Sequence, residues 1–208
     1  SMPKGKFIVL EGIDKSGTTT QAKLLNSYLI DKSKSNSIFS TREPTMDTLE
    51  GKMLRDVIFK SNTDPYADRN LITYLFLKDR IYHTEVIKKH LKQGYHVVSD
   101  RYKYSTIAYQ AAQGCDLQGL IDIQKDFLIP DLVFFLNIKA EDAFKRPETD
   151  QHKETFDQAD IEFHEKLYAN YLVVYNRLKD KEPIILIDAS KPIEAVFEEI
   201  KIEVDKML

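Results

Sequence analysis

The chain has 208 residues, of which 42% are hydrophobic and 30% charged, so it carries enough apolar material for a packed core and is not of the disordered type. Its net charge of −3 gives no electrostatic reason to expect nucleic acid as a partner. One cysteine, Cys115, excludes an intramolecular disulfide framework, and no apolar run reaches the roughly 20 residues that span a membrane. We expect one intracellular, soluble domain over residues 1–208, located in the cytoplasm, with no nucleic-acid or membrane partner.

Short apolar runs alternate along the chain with stretches of helical periodicity. The runs predict strands at residues 6–12, 38–44, 95–102, 131–138 and 183–190. The periodic stretches predict helices at residues 19–30, 47–63, 65–93, 105–113 and 157–180 and from 192 onward. This alternation predicts an α/β fold in which helices wrap a five-stranded parallel sheet. The polar segment 145–155 lacks periodicity and is a candidate lid.

The first predicted strand runs into a glycine loop, GIDKSGTTT, at residues 12–20, called the phosphate loop below. It nearly matches the pattern G-x-x-x-x-G-K-[ST], in which backbone N–H groups and a helix N-terminus bind phosphates. Gly12 and Gly17 allow the tight turn, and the hydroxyl of Thr19 occupies the position of a Mg²⁺ ligand. Thr18, however, occupies the position of the lysine. An ordinary glycine turn is the alternative interpretation.

Three further motifs fall near the predicted carboxyl edge of the sheet or on a neighbouring helix. The run DRYKYSTIAYQ, residues 100–110, follows the third predicted strand, where an arginine can hold a phosphate and an aspartate can orient it or reach Mg²⁺. The run TREP, residues 41–44, places a second arginine at the same edge. On the helix of residues 65–93, Phe76 and Arg80 share one face, which suits stacking on a base and bonding its edge, or else a core phenylalanine beside a solvated arginine.

Taken in order, these motifs resemble the thymidylate kinase family. The resemblance covers most of residues 6–175 and includes PDLVFFLNI at 130–138 and FDQADIEFHEKLYANY at 156–171. It implies the P-loop nucleoside monophosphate kinase fold, usually a homodimer, and transfer of the ATP γ-phosphoryl group to dTMP with Mg²⁺. The alternatives are a kinase for a related nucleotide and a nucleotide-binding protein with weak or no turnover.

The resemblance also implies roles for individual residues. For dTMP it implies Asp14 near the sugar 3′-hydroxyl and phosphate, Phe76 stacked on thymine, Arg80 on its O4, Arg101 and Arg42 at the phosphates, Ser105, Thr106 and Gln110 near the base, and Tyr109 under the deoxyribose. For ATP it implies Gly12, Ile13, Asp14, Lys15, Ser16, Gly17, Thr18, Thr19, Thr20 and Arg146, with Thr19 and Asp100 at the metal. We assign the catalytic roles to Lys15, Arg101, Asp14 and Arg42.

The sequence departs from the family pattern at Thr18, because a neutral side chain cannot supply the charge of the missing lysine. Loss of such a contact can cost on the order of 10² to 10³ in rate. Lys15 lies three residues earlier in the loop, and we expect it to be the main loop cation, with Arg146 and Lys153 as rivals.

Two other sets of residues receive plain interpretations. Leu71, Leu75, Val57 and Ile58 could form a dimer interface or an intrachain core. The aromatic residues of the 163–175 helix are expected to pack in the core, and the five histidines are assigned no catalytic or metal-binding role.

Overall fold

The computed structural model describes residues 4–33, 37–59, 64–146 and 158–208. Each strand is followed by one or two helices, so strands and helical segments alternate as the sequence pattern predicts. In chain order they are β1 (Phe7–Gly12), α1 (Thr18–Ser33), β2 (Ile38–Arg42), α2 (Leu49–Phe59), α3 (Arg69–Lys92), β3 (His96–Asp100), α4 (Lys103–Ala112), α5 (Leu117–Ile123), β4 (Leu132–Asn137), α6 (Ala140–Phe144), α7 (Gln158–Leu178), β5 (Ile184–Asp188) and α8 (Ile193–Met207).

The five strands form one parallel sheet in the order β2-β3-β1-β4-β5. All six residues of β1 are buried, as expected for a central strand with helices on both faces of the sheet. Val9 pairs with Ser99 of β3 on one side and with Val133 of β4 on the other. The carboxyl ends of β1, β2 and β3 therefore lie side by side, and the phosphate loop, TREP and DRY motifs extend from them.

Helix packing encloses the apolar strands in one large core. The helix α1 packs against α8, and α4 packs against α7. A second, smaller cluster of Leu54, Ile72 and Leu75 joins α2 to α3. The second cluster confirms that Leu75 belongs to an intrachain core, whereas Leu71 is 51% exposed.

The predicted strands agree with the observed ones to within one or two residues at each end, but several helix boundaries differ. Residues 65–68 were predicted as helix and form a turn, in which Asp64 accepts hydrogen bonds from the backbone N–H groups of Tyr66 and Ala67. Pro65 has no N–H group to donate, which also favours a turn before the helix. The short helices α5 and α6 were not predicted.

Two predictions concern the segment around residues 145–155 and membrane association. From residue 147 onward the candidate lid lies outside the described residues, and so does Lys153. Among the helices that the structure describes, none is long and apolar enough to cross a membrane.

Candidate active site

The phosphate loop leaves the carboxyl end of the central strand and leads into α1. Gly12 has no room for a side chain, since a Cβ there would collide with Ser16 Oγ and approach Leu136 O to 2.9 Å. Ser16 N donates to Ile13 O at 3.1 Å, and this bond closes the turn. Ser16 Oγ is buried and lacks a hydrogen-bond partner within the described part of the chain, so this hydroxyl is available to a phosphate oxygen.

Lys15 and Thr18, the residue at the position of the expected lysine, have different surroundings. Lys15 adopts a left-handed backbone conformation (φ 66°), which is costly for a residue with a Cβ and is typical of functional sites. Its side chain is partly exposed. Thr18 is the first residue of α1 and is 5% exposed. The loop therefore carries its lysine at position 15, and position 18 is a small buried hydroxyl residue.

Arg101 is the second residue with a left-handed backbone (φ 75°), and it follows β3 directly. This conformation turns its guanidinium toward the phosphate loop, where Nη1 donates to Gly12 O at 2.6 Å. Nη2 lies 3.4 Å from Asp14 Oδ1, which also accepts a 2.8 Å hydrogen bond from the hydroxyl of Tyr109. The guanidinium carbon lies 5.5 Å from the centre of the Tyr109 ring. The structure thus brings together three residues that the resemblance assigns to dTMP.

A buried glutamate in β1, to which the sequence analysis gave no role, organises this turn. Glu11 Oε1 accepts from the backbone N–H groups of Tyr102 (2.7 Å) and Ser105 (3.0 Å). Glu11 Oε2 accepts from the hydroxyls of Ser105 (2.5 Å) and Tyr171 (2.8 Å). Burial raises the pKa of Glu11, although Arg101 and these hydrogen bonds oppose the shift. Ser105 is therefore held by Glu11 and also accepts from Arg101 Nη1 at 3.1 Å.

Thr19 and Asp100, the two expected metal-site residues, lie in contact. Thr19 Oγ1 donates to Asp100 Oδ2 at 2.7 Å, while Asp100 Oδ1 is buried and finds no hydrogen-bond partner among the described residues. A hydroxyl and a carboxylate are hard oxygen ligands of the kind that Mg²⁺ takes beside water and phosphate oxygens. Within the described ranges no three His, Cys, Asp or Glu side chains cluster as a metal cage. These two residues fit the ion.

Arg80 is held in a buried network rather than solvated. It is 1% exposed, its Nε donates to Glu43 Oε1 at 2.8 Å, and its Nη2 donates to Thr106 Oγ1 at 2.9 Å. Nη1 donates to Gln124 Oε1. Burial favours the neutral carboxyl of Glu43, but Arg80 and His83 outweigh it and lower its pKa. Three of the five guanidinium N–H groups are thus bonded to side chains, and the group is fixed in orientation.

The other two residues assigned to the base lie on α3 and α4. Phe76 is half-buried and packs against the cluster formed by Leu54, Ile72 and Leu75. Gln110 Nε2 donates to Arg69 O at 2.9 Å and to Thr73 Oγ1 at 3.0 Å, so Gln110 joins α4 to α3.

Two arginines lie close together beside the Arg101 turn. Arg42, the last residue of β2, is paired in register with Asp100. Arg55 of α2 has its pKa lowered by burial and by the nearby charge of Arg42. Its buried Nε has no hydrogen-bond partner in the residues that the structure describes. Two neighbouring positive charges and an N–H donor without a partner favour the binding of an anion, so Arg55 is a candidate phosphate ligand. TREP signals Arg42 in the sequence, but α2 carries no comparable motif.

Arg146 contacts the outer side of the phosphate loop. Its Nη1 donates to the carbonyl oxygens of Lys15 and Ser16, at 3.2 Å each, and its Nη2 donates to Ala189 O. Burial lowers the pKa of Arg146. Arg146 therefore joins the phosphate loop to the chain that follows β5.

Two residues of α7 reach the site, although the sequence analysis gave them packing roles or none. Tyr171 is buried, and its hydroxyl lies 3.5 Å from Arg101 Nη1 in addition to its bond with Glu11. His164 Nε2 lies 2.8 Å from Asp14 Oδ2. Both residues are about 150 positions from the phosphate loop, so local periodicity could not indicate these contacts.

Comparison with known proteins gives a consistent result over nearly the whole chain. The family profile described as Thymidylate kinase matches residues 10–200. A probable thymidylate kinase of Methanocaldococcus jannaschii is 40% identical over 96% of this chain and 95% of the relative. A probable thymidylate kinase of Thermococcus kodakarensis and a thymidylate kinase of Thermosipho africanus are each 35% identical, over 97% of this chain and 98% of each relative.

Proposed function

The chain belongs to the thymidylate kinase family, and on that premise we propose how its residues divide the work of the reaction. The protein is an ATP-dependent phosphotransferase that converts dTMP to dTDP. Arg101 is the observation that best ties this chemistry to the chain, because its guanidinium contacts two residues of the phosphate loop, Gly12 at the start of the loop and Asp14, which is assigned to dTMP. A kinase that joins two phosphate-bearing substrates needs a cation at that junction.

The acceptor nucleotide is assigned to the carboxyl edge of β2 and β3 and to α3 and α4. Arg101, Arg42 and, from the structure, Arg55 bind the dTMP phosphate as bidentate or charge-assisted donors. Asp14 and Tyr109, already joined at 2.8 Å, contact the sugar.

Base recognition belongs to the fixed guanidinium of Arg80 and to Phe76. Ser105, Thr106 and Gln110 are assigned to the region near the base. Hydrogen bonds to Glu11, Arg80 and Arg69 O, respectively, hold their side chains in place. A fixed donor discriminates between base edges because it cannot turn to suit the wrong one.

The donor nucleotide is assigned to the phosphate loop, residues 12–20, and to Arg146. Backbone N–H groups of the loop and the N-terminus of α1 bind the phosphates. We propose that Thr19 and Asp100 hold Mg²⁺, which when bound neutralises the charge that develops on the transferring group. The pairing of their oxygens at 2.7 Å and the unused Asp100 Oδ1 support this assignment.

We propose Lys15 as the loop cation that takes over from the missing lysine. It is a loop residue, and a strained backbone conformation presents it at the point where the loop turns. Arg146 is a weaker rival, because its guanidinium already donates to three backbone carbonyls. Lys153 lies outside the described residues.

Association into a homodimer is proposed from one surface of α3. Leu71, Tyr74, Ile81 and Tyr82 are each between 45% and 53% exposed, and Leu71, Tyr74, Lys78 and Ile81 recur at the spacing of one helical face. A stripe of large apolar side chains on a soluble helix indicates an interaction surface. We also propose a cytoplasmic location, where ATP and dTMP are available.

A coupled assay of ADP release in the presence of ATP and Mg²⁺ tests the function. We expect turnover with dTMP to exceed turnover with dUMP, dGMP and UMP. Arg80 and Phe76 are assigned to a pyrimidine, which disfavours dGMP, and Tyr109 is assigned to the deoxyribose, which disfavours UMP. dUMP lacks only the 5-methyl group and is therefore the nearest competitor. Thermal stabilisation by dTMP without ADP release would favour the alternative, a protein that binds nucleotide but does not turn it over. Faster turnover with one of the other three nucleotides would assign a different substrate.

A further inference from the structure

His164, a residue of α7, contacts Asp14 of the phosphate loop. The ring is 5% exposed and lies edge-on to Phe144 of α6, at 4.9 Å between centroids, and to its neighbour Phe163. Its Nε2 lies 2.8 Å from Asp14 Oδ2, and its Nδ1 lies 2.7 Å from the carbonyl oxygen of Asp160. Packing and hydrogen bonds therefore fix the ring in one orientation.

Both ring nitrogens of His164 face acceptors. A backbone carbonyl has no hydrogen to donate, and an ionised carboxylate accepts only. A neutral imidazole has one N–H group and could make one of these two bonds, whereas the imidazolium makes both. The geometry therefore requires His164 to carry a positive charge while the two contacts are present.

The charged groups around this pair support the same protonation state. Asp14 comes from the phosphate loop and Asp160 from α7 itself, while Arg101 and Tyr109 bind the other oxygen of Asp14. Although burial opposes it, the bond with Asp14 and the charges of Asp14 and Asp160 raise the pKa of His164. Burial alone would raise the pKa of Asp14, but His164 and Arg101 outweigh burial and lower this pKa to about 2.

Each oxygen of Asp14 thus has its own donors. Oδ1 is held by Tyr109 and Arg101, and Oδ2 is held by His164. If His164 lost its proton, a lone pair would face the carboxylate or the bond to Asp160 O would be lost. Asp14 would then be held through Oδ1 alone, and its orientation toward the nucleotide would be less defined.

We propose that His164 is a positioning residue, which as an imidazolium fixes the Asp14 carboxylate for dTMP and links the phosphate loop to the start of α7. This inference rests on the proposed role of Asp14 at the sugar and phosphate of dTMP. Since the cationic form makes the bond, the positioning is complete at low pH and is lost as pH rises through the raised pKa of His164.

The kinetic test compares wild type with His164→Gln and with His90→Gln between about pH 6 and pH 9. His90, on α3, is a matched control because its Nδ1 also lies 2.8 Å from the carbonyl oxygen four residues earlier. We expect His164→Gln to raise the KM for dTMP about tenfold near pH 6.5, with a smaller effect on kcat, because a charge-assisted hydrogen bond is lost. Its kcat/KM becomes independent of pH over the range in which wild type declines, whereas His90→Gln follows wild type.

A double-mutant comparison separates positioning from a general loss of packing. In an Asp14→Asn background the carboxylate is absent, so adding His164→Gln should change the KM for dTMP less than twofold. Additive effects of the two substitutions would contradict the proposal, and so would a wild-type KM and pH profile in His164→Gln.

An NMR titration of the His164 imidazole in the free protein gives a readout that does not need turnover. Asp14→Asn leaves the histidine in place, and we expect the substitution to lower the midpoint of its titration. An unchanged midpoint would show that the two groups are not coupled and would overturn the proposal. A wild-type protein without dTMP-dependent turnover would contradict the proposed function instead, since the titration reports on the pair alone.

Discussion

At the scale of single residues, the site concentrates backbone strain where it holds positive charge. Lys15 and Arg101 are the two non-glycine residues with positive φ in the described part of the chain, and both are cationic residues of the candidate site. Such conformations cost on the order of 1 to 3 kcal/mol each and persist only where surrounding contacts enforce them. For Arg101 those contacts include its own N–H to Leu10 O at 2.9 Å and the bond from Ser99 Oγ to its carbonyl at 2.7 Å.

Arg55 is predicted to bind the phosphate of dTMP, a role that no sequence motif indicates. We expect Arg55→Gln to raise the KM for dTMP about 10- to 100-fold through loss of a charge-assisted phosphate contact, while the melting temperature stays level or rises because repulsion from Arg42 is relieved. Steady-state kinetics and a thermal melt measure the two effects.

Lys52→Gln is the matched control for Arg55→Gln, since it removes the same charge from an exposed position of the same helix. It should leave both values unchanged. A lower melting temperature with an unchanged KM would mean that Arg55 has a structural role only.

At the scale of elements, strands were easier to anticipate than short helices. The strands of this sheet are apolar runs such as LVFFLN, whose length and flanking polar residues fix their ends. The helices α5 and α6 have seven and five residues, which is too short for a periodic pattern, and they are held by burial of Leu120, Ala140 and Ala143.

Residues of the candidate site could likewise be predicted only where a local sequence pattern marks them. The residues of the GIDKSGTTT, TREP and DRY motifs could be placed from the sequence because each follows a strand end at one edge of a parallel sheet. Glu11, His164 and Tyr171 could not, because their roles depend on contacts between residues 66 to 160 positions apart. The order and register of the strands, rather than any local pattern, bring these side chains together.

The exposed face of α3 makes an element-scale prediction about assembly. We expect wild type to sediment as a dimer and the double variant Leu71→Asp/Ile81→Asp to sediment as a monomer, because two carboxylates would be buried without partners in the interface. Ile202→Asp, at a residue of α8 that is also 53% exposed, is the control and should remain dimeric. A monomeric wild type over micromolar concentrations would remove the basis for this interface.

At the scale of the whole molecule, the parallel sheet brings residues of five chain segments to one edge. The phosphate loop follows β1, Arg42 ends β2, Asp100 ends β3 and Arg101 follows it, and α4 and α7 contribute Tyr109 and His164. Buried acids hold much of this assembly, since Glu11 anchors the Arg101 turn and Glu43 anchors Arg80. Replacement of one lysine by Thr18 therefore leaves a site whose remaining charges are held in place by the fold.

The central claim is that this site transfers a phosphoryl group with Lys15 as its loop cation. The most direct measurement is the turnover of Lys15→Ala with ATP, Mg²⁺ and dTMP, beside dTMP affinity from calorimetry, with Lys23→Ala at an exposed position of α1 as the control. We predict that kcat falls by on the order of 10² to 10³ while the Kd for dTMP changes little, and that Lys23→Ala behaves as wild type. Turnover near normal in Lys15→Ala would contradict the claim and transfer the role to Arg146 or Lys153.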